Sequence, residues 1–332
     1  MKKINIAVLG DGGWGTTLSL LLNKTGFEVT LWSVFKDYAA YLDKKRVNTR
    51  FLPKIKIPHN ITITADLKEA LTGKNLIILA VPSQYMRQVL KKIKKIEYPK
   101  KATYLSVTKG IEIKTLDTMT DVIRKELGDV KLAVLSGPTI AHEVAYGVPT
   151  TAVVAAPDHK LCKYLQDIFM YESFRVYTSS DTIGVELGGS VKNVIAIACG
   201  ISDGLGFGTN TKAALLSRGL AEISRLGIAM GADPKTFSGV SGLGDLVTTC
   251  ISLYSRNRYV GEQIGKGKTL NEIKKTMRMV AEGIPTSKST YALSKKYKVD
   301  MPIIREVYQV LYKNKSPKDA VRYLMTRQKK AE

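Results

Sequence analysis

The chain opens on a short apolar run, "INIAVL" at 4–9, which stops at glycines. Comparable runs recur at 28–33 ("EVTLWS"), 76–81 ("LIILAV"), 103–107 ("TYLSV"), 132–135, 151–156 and 174–178. Several are apolar throughout, the pattern of strands covered on both faces of a parallel sheet. Helical periodicity separates the early runs, over 15–25, 36–46, 84–95, 115–127 and 139–146. Strand alternating with helix predicts an α/β, Rossmann-like, doubly wound and mostly parallel sheet. After about residue 181 the strand pattern stops. Helical patterns follow at 182–200, 210–230, 234–240, 242–251, 256–265, 270–275, 285–297, 302–312 and 317–328. Ser316 and Pro317 mark the last of these as N-cap and first helical residue. The expected division is a dinucleotide-binding domain over 1–188 and an all-helical, substrate-binding C-terminal domain over 189–332.

The first strand runs into "GDGGWGTT", where Gly10, Gly12 and Gly15 match G-x-G-x-x-G. In a strand–loop–helix setting the first glycine permits the tight turn. The second admits a pyrophosphate and the third lets helix pack on strand. The helix N-terminus then offers free N–H groups to the anion. Asp11 lies inside this loop and is expected to point away from the anion. The second strand ends in Ser33 and Val34, with Lys36 close by. With no carboxylate there to repel a 2′-phosphate, NADPH is expected to be accepted beside NADH.

Ligands of such sheets gather at the carboxyl ends of the strands. Lys109 leaves one strand end in "SVTKGIE", and Gly137 and Thr139 follow another in "LSGPTIAHE". A solvated loop lysine and a helix-capping threonine are the plainer readings of the two side chains. Lys192 stands in "GVELGGSVKNVIAIACGISDG", an otherwise apolar helix. At about 100° per residue, Gly188, Gly189, Ala196 and Cys199 share its side. It should rise from a trough of small residues where another group can approach. It could snorkel to solvent, or exchange protons, its charged form disfavoured by burial and a neighbouring cation. Asp245 opens a glycine-flanked helix, with Thr249 one turn on. Ser255, Arg256 and Asn257 open another, where an arginine fork and unpaired N–H groups suit a phosphate.

Composition adds a little. The 332 residues carry 51 Lys plus Arg against 29 Asp plus Glu, a formal charge of +22. The basic residues are dispersed without interleaved aromatics, so no nucleic-acid partner is expected. No continuous apolar run approaches a membrane span, and "MKKINIAVLGDGG" reads as a strand rather than a signal peptide. Integral membrane association is therefore not expected. Cys162, Cys199 and Cys250 are odd in number and far apart, which suggests a reducing compartment and gives no metal-ligand spacing.

Taken together, "GDGGWGT", "VPSQ", "TKGIE", "LSGPTIAHEVAYGVPT", the block from "FRVYTSSDTIGVELGG" to "AEISRLG", "GLGDLVTTC", "YSRNR" and "DMPIIREVYQVLY" cover nearly the whole chain. In them it resembles the bacterial NAD(P)-dependent glycerol-3-phosphate dehydrogenases. The resemblance implies reversible hydride transfer between NAD(P)H and dihydroxyacetone phosphate, a small phosphorylated substrate. It implies a cytoplasmic enzyme that supplies sn-glycerol 3-phosphate for phospholipid synthesis, and it allows a homodimer. It makes Lys192 the general acid/base and matches Lys109, Gly137, Thr139 and Asp245 to substrate contacts, with Lys109 and Asp245 also in the catalytic group. Ser255, Arg256 and Asn257 match the phosphate end, with Arg256 also near the cofactor. Gly13, Trp14, Ala141, Val280 and Glu282 match cofactor contacts, beside Gly10, Gly12, Gly15, Val34, Lys36 and Lys109. The chain departs from the family loop at Asp11, commonly alanine, and at Gly13, commonly serine. A related two-domain reductase of another hydroxy acid, or a dinucleotide sensor without catalysis, would share the first domain but not this phosphate site or this proton shuttle.

Overall fold

The computed structural model describes residues 4–96, 98–277 and 279–329. The chain divides into two compact units, Met1–Lys109 with Asp117–Glu186, and Gly110–Leu116 with Leu187–Glu332.

The first unit is built on β1 (Asn5–Leu9), β2 (Glu28–Trp32), β5 (Thr62–Thr64), β6 (Leu76–Leu79), β7 (Thr103–Ser106), β8 (Lys131–Ser136), β9 (Thr150–Ala155) and β10 (Phe174–Ser179). They form one sheet in the order β10-β9-β8-β7-β6-β1-β2-β5. All neighbours are parallel except β8 and β9, which are antiparallel. A short hairpin, β3 (Val47–Asn48) with β4 (Leu52–Lys56), stands apart from it. The crossovers carry α1 (Gly13–Lys24), α2 (Lys36–Lys45), α3 (Leu67–Leu71), α4 (Met86–Lys94), α5 (Met119–Leu127), α6 (Ala141–Ala145) and α7 (His159–Phe169).

The apolar runs follow from two-sided burial. In β1, Ile6 and Val8 join one core cluster with Leu18, Leu22, Leu76 and Ile78. Ala7 and Leu9 join a second with Ile77, Leu79, Leu90 and Tyr104. Alternate side chains thus feed opposite faces, and neither face can be polar. Strand order runs outward from β1 in both directions, to β2 on one side and β6 on the other. That makes the β1/β6 edge the switch point where such sheets hold ligands. The helix expected from 115 starts only at Met119, because Leu116 adopts a left-handed φ of 65° that breaks the turn.

The second unit holds α8 (Thr182–Gly204), α9 (Thr209–Ala229), α10 (Pro234–Ser238), α11 (Asp245–Ile251), α12 (Arg256–Gly265), α13 (Leu270–Thr276), α14 (Gly283–Lys296), α15 (Pro302–Tyr312) and α16 (Pro317–Met325). Residues 110–116 belong to it too, and the Ile111 carbonyl accepts a bond from Ser289 Oγ at 3.0 Å. The chain passes from unit to unit within α8. Here the structure corrects the reading of apolar runs. By length and composition, with 23 residues and an 18-residue window of mean hydropathy 1.3, α8 could cross a membrane, yet 89% of that window is buried in the protein. Scattered polar residues hide it from a search for continuous runs. Gly200 and Gly261 let α8 and α12 touch backbone to backbone, since a Cβ on Gly200 would fall 2.0 Å from the Arg258 carbonyl oxygen.

Two buried carboxylates sit at helix N-termini. Glu186 accepts from Thr120 N at 2.9 Å and from the Thr120 hydroxyl, at the start of α5. Glu222 accepts from Ile303 N and Ile304 N at 2.8 and 3.1 Å, at the start of α15. Desolvation outweighs these bonds and pushes each pKa up from 4.5 to about 7. A carboxyl raised on folding favours the native state most below its unfolded pKa. That advantage is lost as pH rises through the folded value. Stability should therefore fall between about pH 4.5 and 7, by on the order of 3 kcal/mol for Glu186 alone. Glu186→Gln keeps both bonds to Thr120, its amide donating to the hydroxyl. Its melting temperature should vary less over that window, as thermal scans of the two proteins would show.

Candidate functional site

In the first unit the glycine loop joins β1 to α1. Gly10 has a φ of +122°, and a Cβ on it would lie 2.6 Å from the Ala80 carbonyl oxygen just beyond β6. Gly15 packs so tightly that a Cβ would meet the Gly10 carbonyl oxygen at 1.9 Å. Gly12 faces open space, with nothing within 4 Å of its Cβ position. As N-cap of α1 it offers no side-chain cap, and the first turn holds no acid. Bare N–H groups and an open approach fit a pyrophosphate. Trp14 Nε1 beside them is buried without a partner among the described residues. The serine common at Gly13 would collide with the loop, for a Cβ there lies 2.8 Å from the Phe51 carbonyl oxygen. Ala141 opens α6, and its carbonyl accepts from Thr17 Oγ1 of α1 at 3.0 Å.

Asp11 requires a correction. The end of β2 is not free of carboxylate, because Asp11 reaches it from the loop. Its Oδ2 accepts from Ser33 Oγ at 2.7 Å, and the residue is only 8% exposed. Burial raises its pKa, against the Ser33 bond and the charge of Arg50, which lower it. Val34 and Lys36 are exposed beyond it.

At the ends of β7 and β8, Lys109 Nζ donates to the Gly137 carbonyl at 2.7 Å and to Thr139 Oγ1 at 3.4 Å. Gly137 has a φ of +142°, and a Cβ there would lie 2.9 Å from Ala152 Cα. Only glycine turns its carbonyl to the lysine without strain. Thr139 does not cap α6, as position alone suggested. Ile140 is the N-cap, and the Thr139 hydroxyl donates back to the Gly137 carbonyl at 3.2 Å.

The second unit holds the buried lysine. Lys192 is 4% exposed and does not snorkel. Its Nζ donates to Asp245 and, at 2.5 Å, to Thr249 Oγ1, and both are buried. The trough of small residues is filled by protein. A Cβ on Gly188 would lie 2.7 Å from the Ser241 carbonyl oxygen, in a π-helical turn over Val240–Gly244 that leads into α11. Such turns recur at functional sites. Here it sets Asp245 and Thr249, one helical turn apart, against the lysine. Within its own unit Lys192 thus meets a carboxylate and a hydroxyl, both from α11. Spacing alone sets Thr249 one turn beyond Asp245 but does not reveal it as a partner of the lysine. Cys199 lies on the lysine's side as expected and pairs with Cys250 of α11 as a hydrogen-bonded thiol.

Ser255 caps α12, accepting from Arg258 N at 3.3 Å. Asn257 bonds within the unit. Its Nδ2 donates to Asn193 Oδ1 at 2.9 Å and its Oδ1 accepts from Gly283 N at 2.8 Å, which ties α8, α12 and the start of α14 together. Arg256, the first residue of α12, keeps an exposed side chain. The charge of Glu282, N-cap residue of α14, acts on its guanidinium. A cation at a helix N-terminus meets the unfavourable end of the dipole, and an anion would relieve both charges. Val280 is exposed just before α14.

Comparisons with known proteins bear on both units. Models for the N-terminus and C-terminus of NAD-dependent glycerol-3-phosphate dehydrogenase match residues 5–162 and 181–322. The glycerol-3-phosphate dehydrogenase (NAD(P)+) of Fusobacterium nucleatum is 51% identical over 331 residues, 99% of this chain and 98% of its own. That of Citrifermentans bemidjiense is 52% identical over 330 residues, 98% of each. The crystal structure of the Coxiella burnetii glycerol-3-phosphate dehydrogenase superposes with a TM-score of 0.94 at 39% identity, covering 98% of this chain and 99% of that one. A dinucleotide cradle followed by a helical unit with a buried lysine–aspartate pair is thus matched along its full length, and the chain belongs to the NAD-dependent glycerol-3-phosphate dehydrogenase family.

Proposed function

We propose that the chain interconverts dihydroxyacetone phosphate and sn-glycerol 3-phosphate with NAD(P)H, supplying glycerol 3-phosphate for phospholipid synthesis. The observation that carries the chemistry is Lys192, buried and bonded to both Asp245 and Thr249. When bound, the reduced nicotinamide supplies the hydride. Gly10, Gly12, Gly13, Trp14 and Gly15 would hold the dinucleotide, with Val34, Lys36 and Ala141 bordering it. Reduction leaves charge on the carbonyl oxygen, and Lys192 Nζ gives that oxygen a proton. In the reverse direction it takes the proton back. Asp245 positions the ammonium and balances its charge, and Thr249 fixes its direction. In the first unit, Lys109, oriented by Gly137 and Thr139, is a further candidate for contact with substrate oxygens. Arg256 and the Ser255-capped helix start would bind the phosphate, with Asn257 fixing that helix in place. Cys162, Cys199 and Cys250 are free and buried, which suits the reducing cytoplasm.

The test follows nicotinamide absorbance with dihydroxyacetone phosphate and, separately, unphosphorylated dihydroxyacetone. Turnover that strongly favours the phosphorylated ketone is expected. Equal turnover, or none with the phosphate ester, would overturn the assignment.

A further inference from the structure

We propose that Asp11, carried to the end of β2 by the glycine loop, reads the adenosine ribose and makes this chain prefer NADH to NADPH. The proposal rests on the dinucleotide reading of that loop. In this fold an acid at the end of the second strand accepts a bond from the ribose 2′-hydroxyl. β2 itself offers only Ser33, Val34 and Phe35 there. The acid comes instead from β1, and Ser33 Oγ donates to its Oδ2 at 2.7 Å.

The position is braced. Asn48 Nδ2 donates to the Asp11 carbonyl at 2.7 Å and to Thr16 Oγ1 at 2.8 Å, and Tyr38 Oη donates to Asn48 Oδ1 at 2.7 Å. The loop therefore cannot easily swing the carboxylate aside. At 8% exposure its field is weakly screened by water. A 2′-hydroxyl can donate to it, whereas a 2′-phosphate meets like charge. Arg50, whose guanidinium lies 4.2 Å over the Tyr38 ring, is the cation whose charge reaches Asp11. Asp11 already offsets that charge, and the exposed Lys36 is followed at once by Asp37. Without Asp11, Arg50 would be left to attract a 2′-phosphate.

Calorimetric titration of the full chain without substrate tests this, using NADH, NADPH, 5′-AMP and 2′,5′-ADP. The wild type should bind NADH at least about ten-fold more tightly than NADPH. Asp11→Asn, which still accepts from Ser33, and Asp11→Ala should each move the NADPH/NADH affinity ratio about ten-fold or more towards NADPH. The two fragments should show the same shift. Wild-type NADPH binding equal to or tighter than NADH binding would overturn the proposal, as would an unchanged ratio in both variants. Failure to bind either nucleotide would overturn the dinucleotide reading itself, and the proposal with it.

Discussion

Lys192→Met is expected to lower kcat with dihydroxyacetone phosphate by about a thousand-fold while NADH affinity changes no more than about three-fold. The substitution removes the proton donor but leaves the glycine loop untouched. It also has a structural cost that must be separated from catalysis. Asp245 is 1% exposed, and stripping its partner leaves a buried charge at a cost of about 3–5 kcal/mol. Melting temperature should fall, so rates are compared well below it. The double variant Lys192→Met with Asp245→Leu removes both charges and should recover most of the stability. Turnover should not recover with it. Turnover restored in parallel with stability would make the lysine a structural ion-pair partner and nothing more.

The lysine's place on its helix was legible in the sequence, but its surroundings were not. Helical geometry placed Lys192 beside Gly188 and Cys199 because i, i+4 and i+7 neighbours follow from chain order alone. What fills the trough depends on residues about 50 positions on, the Ser241 backbone and Asp245, and no local pattern carries that pairing. The same limit explains Asp11. A carboxylate was sought on β2, where chain order puts it, whereas the fold delivers one from the neighbouring strand's loop. Thr139 misled for a related reason. Its place before a helix resembles a cap, but the Gly137 turn rotates the hydroxyl to Lys109. The central strands were read nearly residue by residue, since burial on both faces leaves an unbroken apolar signature. The two- to five-residue β3, β4, β5 and α3 are shorter than any periodicity that could mark them. α7 differs from these in carrying local signals of its own. Asp158 caps it, and Cys162, Leu165 and Phe169 recur on one face.

Arg256→Ala is expected to raise KM for dihydroxyacetone phosphate about a hundred-fold, with the weak turnover of unphosphorylated dihydroxyacetone nearly unchanged. The arginine stands at N1 of a ten-residue helix, where its charge and the dipole repel each other. Such a placement is costly unless an anion is held between them. Glu282 supplies part of the opposing charge, so the variant leaves that carboxylate facing the substrate phosphate and the loss should exceed that of one hydrogen bond. Arg256→Lys keeps the charge but not the planar fork, and should fall between the two proteins. Inorganic phosphate gives a second readout. It should compete with dihydroxyacetone phosphate in the wild type and far less in Arg256→Ala. If the alanine variant instead lost turnover equally with both ketones, Arg256 would act on the α12–α14 junction rather than on the phosphate. The buried lysine would then need its substrate oriented from elsewhere.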